Sequence, residues 1–258
     1  MTRLLLVVNV LLVGLWAFDR ASRPTVAAAE PRSAAKASDT SAKARPALGE
    51  PAARPSTATS GTPTIDLLAR LEGRRMLARA AASTYFDSLF AETDSVLRRW
   101  PDAAMPLTVA VLPDSGRLDP GLVSLTRRAL AVWEAAGAGI RFQLVTDTTS
   151  AKLLVQTAPR LPGASVGETQ LQWSQAGVLH SARIILAQAD SSGRQLTDAT
   201  AFAVAIHEVG HSLGLAHSAS EADVMFSFAK TGRLSQRDRS TIALLYQLPL
   251  GSMRESGR

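Results

Sequence analysis

The sequence has no cysteine. Disulfides and thiolate metal ligands are therefore excluded, whatever compartment the chain occupies. A transition metal could be held only by His, Asp or Glu. Histidine itself is scarce, at 4 among 258 residues, and aromatic residues amount to 5%. A broad basic surface is also missing. The net charge is +6, but residues 20–63 carry seven Lys or Arg against three Asp or Glu, which leaves residues 64–258 with an excess of only +2. No cluster of Lys and Arg suits a groove that tracks phosphates, so no nucleic-acid partner is expected. There is no internal repeat.

The opening apolar run, Leu4 to Phe18, is 15 residues long. That is short of the roughly 20 residues a spanning helix needs. Residues 1–20 read as a secretory signal peptide or an N-terminal membrane anchor. The flanking charges do not decide, with Arg3 on one side and Arg20 and Arg23 on the other. Either way the chain is expected outside the cytoplasm, secreted or anchored by this segment. Membrane contact would come only through it, if it stays uncleaved. Residues 21–63 are Ala, Pro, Ser and Thr with scattered Lys and Arg. Such a stretch buries too little surface to offset its ordering entropy, so it reads as a disordered linker.

Residues 64–99 read as an accessory helical segment, with Ile65, Leu68 and Leu71 at helical spacing. Residues 100–250 carry the pattern of the main domain, and 251–258 read as a flexible tail. LTVAVL after Pro106 predicts a strand. Asp119-Pro120 predicts a helix start, since Asp caps well and Pro suits the first turn. Leu122, Leu125, Ala129 and Trp133 form that helix's apolar stripe, and Gly137 and Gly139 end it. IRFQLV (140–145), KLLVQT (152–157), TQLQW (169–173) and ARIILA (182–187) predict further strands. Helices are expected from about Thr197 to Leu213 and from Ser235 to Gln247, the latter opened by a capping box of Ser235 and Asp238. The order predicts an α+β fold: a twisted mixed sheet of about five strands with three main helices.

Three of the four histidines fall within HEVGHSLGLAH, from His207 to His217. Residues four apart on an α-helix lie one turn apart on the same face. His207 and His211 can therefore reach one ion. Glu208 is rotated about 100° from His207, beside the ion without being its ligand. Gly214 can take the left-handed conformation that stops the helix, which lets His217 return as a third ligand. Three imidazoles leave a fourth position on zinc for water, as a catalytic site requires. Glu208 is then the general base for attack on a peptide bond. The bland alternative, a helix whose His and Glu face solvent, fits HExxH alone better than it fits the extended pattern.

The sequence resembles the metzincin metalloproteases, whose HExxHxxGxxH is matched at every fixed position, and most of all their matrixin branch. Ser218 follows the third histidine as in that branch. Met225 stands where those enzymes place the Met-turn methionine, and LSQRDRSTIALLYQL (234–248) is similar to their C-terminal helix. The resemblance implies a zincin-like catalytic domain, a single catalytic zinc, a polypeptide substrate and a monomer. It also implies that ARIILA is the edge strand over the cleft, with Ile184, Ile185 and Leu186 beside an extended peptide. An interior strand without a ligand role is the alternative. Phe226 and Phe228 are candidates to line the specificity pocket, although the chain lacks the proline that usually follows the methionine. Without cysteine the family's thiolate latency switch cannot operate. His180, the remaining histidine, reads as a loop residue, so the family's second zinc is not expected. Calcium stays open but unsupported, because no dense carboxylate loop is present. Two rival readings are an exported, non-catalytic zinc-containing binding module of the cell envelope and a basic adhesion module acting through its tail.

Overall fold

Strands of three to nine residues build the main sheet, and turn residues separate them. The computed structural model describes residues 65–114 and 116–252. Residues 1–64, including the expected signal or anchor and the linker, lie outside the described residues, as do residues 253–258 of the expected tail. Among the described residues no helix is long and apolar enough to cross a membrane.

The chain begins with α1 (Ile65–Ala80) and α2 (Phe86–Thr93), then a short β1 (Val96–Leu97). The main sheet contains β2 (Leu107–Val111), β3 (Phe142–Leu144), β4 (Leu153–Ala158), β5 (Gly167–Trp173) and β6 (Leu179–Ala187). Its order is β3-β2-β4-β6-β5. β2, β3, β4 and β6 run parallel, and β5 pairs antiparallel with β6. This is the mixed α+β architecture that the sequence predicts.

α3 (Pro120–Glu134) connects β2 to β3 and packs against β2, β3 and β4. α4 (Asp198–Ser212) packs on α3, β5 and β6. The caps explain where these helices start. Asp119 accepts from the Gly121 amide at 2.8 Å, and Thr197 accepts from Thr200 at 3.2 Å. α5 (Gln236–Gln247) opens with both arms of the Ser235–Asp238 capping box in place. The core lies between the sheet and these helices, with Trp100, Trp133, Leu107, Ile140, Leu153 and Ile206 fully buried.

Two expectations need correction. β6, which contains ARIILA, is not the edge strand. It lies between β4 and β5, and β5 forms the edge. The reason is the hairpin turn at Ser174–Val178, where Gly177 takes φ 79 and the Ser174 amide donates to Val178. That turn lays β5 outside β6. Second, the expected tail begins with β7 (Gly251–Ser252), which pairs with β1. On α1, the helix that the spacing predicts, Leu68 and Leu71 are 47% and 42% exposed, and Met76, Leu77 and Ala80 at the other end meet the core.

Candidate metal centre

α4 is apolar on most of its surface, and Ala203 to Ser212 are all buried. Two indoles fix it in place. Trp133 Nε1 donates to the Ile206 carbonyl and Trp100 Nε1 donates to the Ser212 carbonyl, both at 2.8 Å. His207 and His211 stand one turn apart on this rigid helix, with their Nε2 atoms 2.9 Å apart. α4 then stops, and Gly214 turns the chain with φ 99. A Cβ there would lie 2.0 Å from the Arg98 carbonyl oxygen, so only glycine fits. The turn returns His217 to the other two. The ligand atoms of His207, His211 and His217 all lie within 4.8 Å of one another.

The opposite ring nitrogens fix the tautomers. His207 Nδ1 lies 2.8 Å from the Val224 carbonyl and His211 Nδ1 lies 2.9 Å from the Leu215 carbonyl. A carbonyl can only accept, so each Nδ1 carries the proton and each Nε2 presents a lone pair. Burial holds both rings neutral. It lowers the pKa of His207 from 6.5 to about 4 and puts His211 well below the ordinary value. Two acceptor lone pairs thus face each other with no proton between them. His217 Nε2 is buried and has no hydrogen-bond partner. Three converging imidazoles, with the Nε2 of His217 left without a partner, are the donor set zinc takes, so the residues fit that ion.

Glu208 is 2% exposed and packs beneath β5. Thr169 Oγ1 lies 2.7 Å from its Oε2 and 3.0 Å from its backbone carbonyl. Gly167 makes room for the other carboxylate oxygen, since a Cβ at Gly167 would fall 2.3 Å from Oε1. Burial raises the Glu208 pKa to about 8, and the Thr169 hydrogen bond opposes that rise.

Met225 is fully buried against the space left by Gly210. Its segment is held from both sides. The Ser218 amide donates to the Met225 carbonyl at 2.8 Å, and the Ser218 hydroxyl donates to Asp223. Asp238 accepts from the amides of Val224 and Ser235 at 2.8 Å each and faces the Tyr85 hydroxyl at 3.2 Å. A hydrogen-bonded path thus runs from Tyr85 through Asp238 and Val224 to His207.

The residues proposed to meet substrate fare differently. Ile184 and Leu186 are buried at 1% and 5% exposure, and Ile185 is half-buried in an interior strand. Leu186 instead lines a cavity of about 430 Å³ with Leu122, Leu125, Arg128 and Val204, and none of the three histidines borders it. The strand alongside Glu208 is β5, whose outer edge is unpaired among the described residues. Phe226 is half-buried and Phe228 is 51% exposed, with ring centroids 6.0 Å apart. His180 is exposed at the start of β6, in a strand rather than a loop, and is not part of the histidine cluster.

The sequence model of the matrixins, the M10 peptidases, matches residues 99–247. The chain belongs to the matrixin family. No curated protein matches it. A matrixin is a zinc-dependent metalloendopeptidase acting on polypeptides, and the three-histidine cluster suits that metal. The matrixin match begins at Arg99, so Glu92, in contact with His217, and Tyr85, bonded to Asp238, lie outside it. Sequence reading missed Glu92, Gly167 and Thr169. Each acts across a long separation, and no local pattern marks it.

Proposed function

We propose that this matrixin cleaves peptide bonds through Glu208 as general base, at zinc held by His207, His211 and His217. The observation that carries the reading is the set of imidazoles whose Nε2 atoms converge while backbone carbonyls hold two of the Nδ1 protons. Bound zinc would supply Lewis-acid activation of water and of the scissile carbonyl. Glu208 takes the attacking water's proton on its carboxylate and returns it to the leaving amine. Thr169 keeps one oxygen of that carboxylate fixed, so Glu208 works in a set orientation. The free edge of β5 offers amide donors and carbonyl acceptors to an extended polypeptide, and this favours unfolded or loop substrates. Phe226 and Phe228, following Met225, are the apolar side chains proposed to meet a substrate residue.

We further propose that residues 100–250 are the catalytic domain and 64–99 its accessory segment. The chain acts as a monomer outside the cytoplasm, released or anchored through residues 1–20. Sequencing the N-terminus of the mature protein distinguishes release from anchoring.

The test is zinc content and cleavage of a denatured protein by the purified chain, with Glu208→Ala alongside. Wild type should bind one zinc per chain and cut, and Glu208→Ala should bind zinc and fail to cut. Zinc binding with no cleavage by any activated form would favour the non-catalytic binding module. Cleavage by Glu208→Ala at the wild-type rate would remove Glu208 from the mechanism.

A further inference from the structure

His217 differs from the other two histidines. It sits on a loop beyond Gly214 rather than on α4, and no backbone carbonyl takes its Nδ1. A carboxylate stands there instead. Glu92 Oε1 lies 3.3 Å from His217 Nδ1 and accepts from the His217 backbone amide at 3.2 Å. One oxygen thus meets both the ring and the main chain of the same residue.

We propose that Glu92, on a helix outside the matrixin match, is the positioning residue for His217 in the metal centre. This rests on the zinc-site reading above. A carboxylate at Nδ1 keeps the proton on that nitrogen and leaves Nε2 as the metal-binding atom. It also makes the ring a better donor to a cation and adds a negative charge beside three neutral ligands. His217 Nε2 is buried and left without a partner, as this assignment requires.

The mounting of Glu92 points the same way. It occupies the last turn of α2, where the helix dipole disfavours a carboxylate. No basic residue in that turn offsets the cost. A local rule broken at a contact with a metal ligand is a mark of function. α2 itself is firmly seated, with Phe86, Leu89 and Thr93 buried and the Thr93 hydroxyl donating to the Leu89 carbonyl at 2.8 Å. Its end is fixed by two consecutive left-handed residues, Asp94 at φ 54 and Ser95 at φ 61, whose amides both turn back to the Phe90 carbonyl. Neither is glycine, so the chain holds an unfavourable conformation to end the helix one residue past Thr93. That places Glu92 at His217. The segment before the matched region is therefore part of the metal centre, not merely a lead into it.

The experiment measures zinc affinity of the full chain by competition with a chromogenic chelator, and the visible spectrum after cobalt(II) replacement. Glu92→Ala should weaken zinc binding by about 10–100-fold and shift the cobalt bands. Glu92→Gln keeps an oxygen that can accept from both N–H groups, so it should recover part of that loss. Asp87→Ala removes the same charge from an exposed position on the same helix and should bind as wild type does. Glu92→Ala within about twofold of wild type, with an unchanged cobalt spectrum, overturns the assignment. Equal losses in Glu92→Ala and Asp87→Ala also overturn it, because helix charge would then be the cause. A wild-type chain that takes up no zinc overturns the metal site itself and this inference with it.

Discussion

Gly167→Ala gives the sharpest test of how Glu208 is held. Gly167 has no left-handed φ, so alanine suits its backbone and the effect is one of space alone. The new Cβ would stand 2.3 Å from Glu208 Oε1, 2.8 Å from its Cδ and 2.7 Å from Val204 Cγ1. Comfortable contact begins near about 3.5 Å, so each of these atoms must move by up to roughly 1 Å. Val204 is β-branched and on a helix, which leaves its side chain little rotamer freedom. The Glu208 carboxylate can move only by giving up the Thr169 hydroxyl at 2.7 Å. Overpacking of this kind costs about 1–3 kcal/mol, or roughly 2–12 °C in Tm for a domain of this size. A displacement near 1 Å at a catalytic group costs about 100-fold in rate. The expected result is a fall of about 100-fold in kcat/KM on a denatured-protein or peptide substrate, with zinc content unchanged. Calorimetry and metal analysis accompany the rate assay. Wild-type kcat/KM and Tm in Gly167→Ala would falsify the placement of the Glu208 carboxylate under β5.

Other perturbations separate the parts of the centre. Thr169→Val keeps the shape but leaves Glu208 Oε2 without its donor, so it should cost about 1–3 kcal/mol in denaturant unfolding and lower kcat more than it raises KM. Gly214→Ala forces a side chain onto φ 99 and a Cβ to 2.0 Å from the Arg98 carbonyl, so metal analysis should find zinc lost along with His217's placement. Chelation of zinc should lower Tm, because a ligand at about 100 times its Kd adds about 2.7 kcal/mol to the folded state. Burial raises the Asp238 carboxyl above 3.8, so the folded state binds more protons than the unfolded state just above that pH. The Asp238 contribution to the stability of the metal-free chain should therefore fall as pH rises above 3.8, and Asp238→Asn should remove that contribution. Denaturant unfolding of both proteins across this range measures the difference.

The sequence reveals what depends on neighbours in the chain. The Asp119 cap, the Ser235–Asp238 capping box and the Gly214 turn are local chemistry, and each occurs where spacing predicts it. The strands appear for the same reason, though with shifted ends. β5 begins two residues before TQLQW, because Gly167 and Glu168 continue the ladder opposite Leu186 and Ile185. β6 begins at Leu179, three residues before ARIILA, because the hairpin turn is tight. The order of β5 and β6 within the sheet was not legible. TQLQW alternates where ARIILA is mostly apolar, but alternation marks a half-exposed strand and not an edge, and the hairpin and its packing on α4 decide which lies outside. The exposed Leu68 and Leu71 show the converse limit. A helical stripe predicts a helix, but it does not supply a surface for that helix to pack on.

The three-histidine cluster was legible because its spacing is local, whereas its supports were not. Thr169 is 39 positions from Glu208, Glu92 is 125 from His217, and Tyr85 is 153 from Asp238. Only folding brings these pairs together. Two of the three supports of a histidine are backbone carbonyls, at Val224 and Leu215, which any residue there could supply. Side-chain identity therefore matters least where the chain is rigid and most where it is not. His207 and His211 ride on a helix clamped by two tryptophans, and a carbonyl suffices for each. His217 rides on a loop, and there the structure places a charged side chain from a distant helix. The loop ligand is accordingly where substitution of a supporting residue should weaken the metal most.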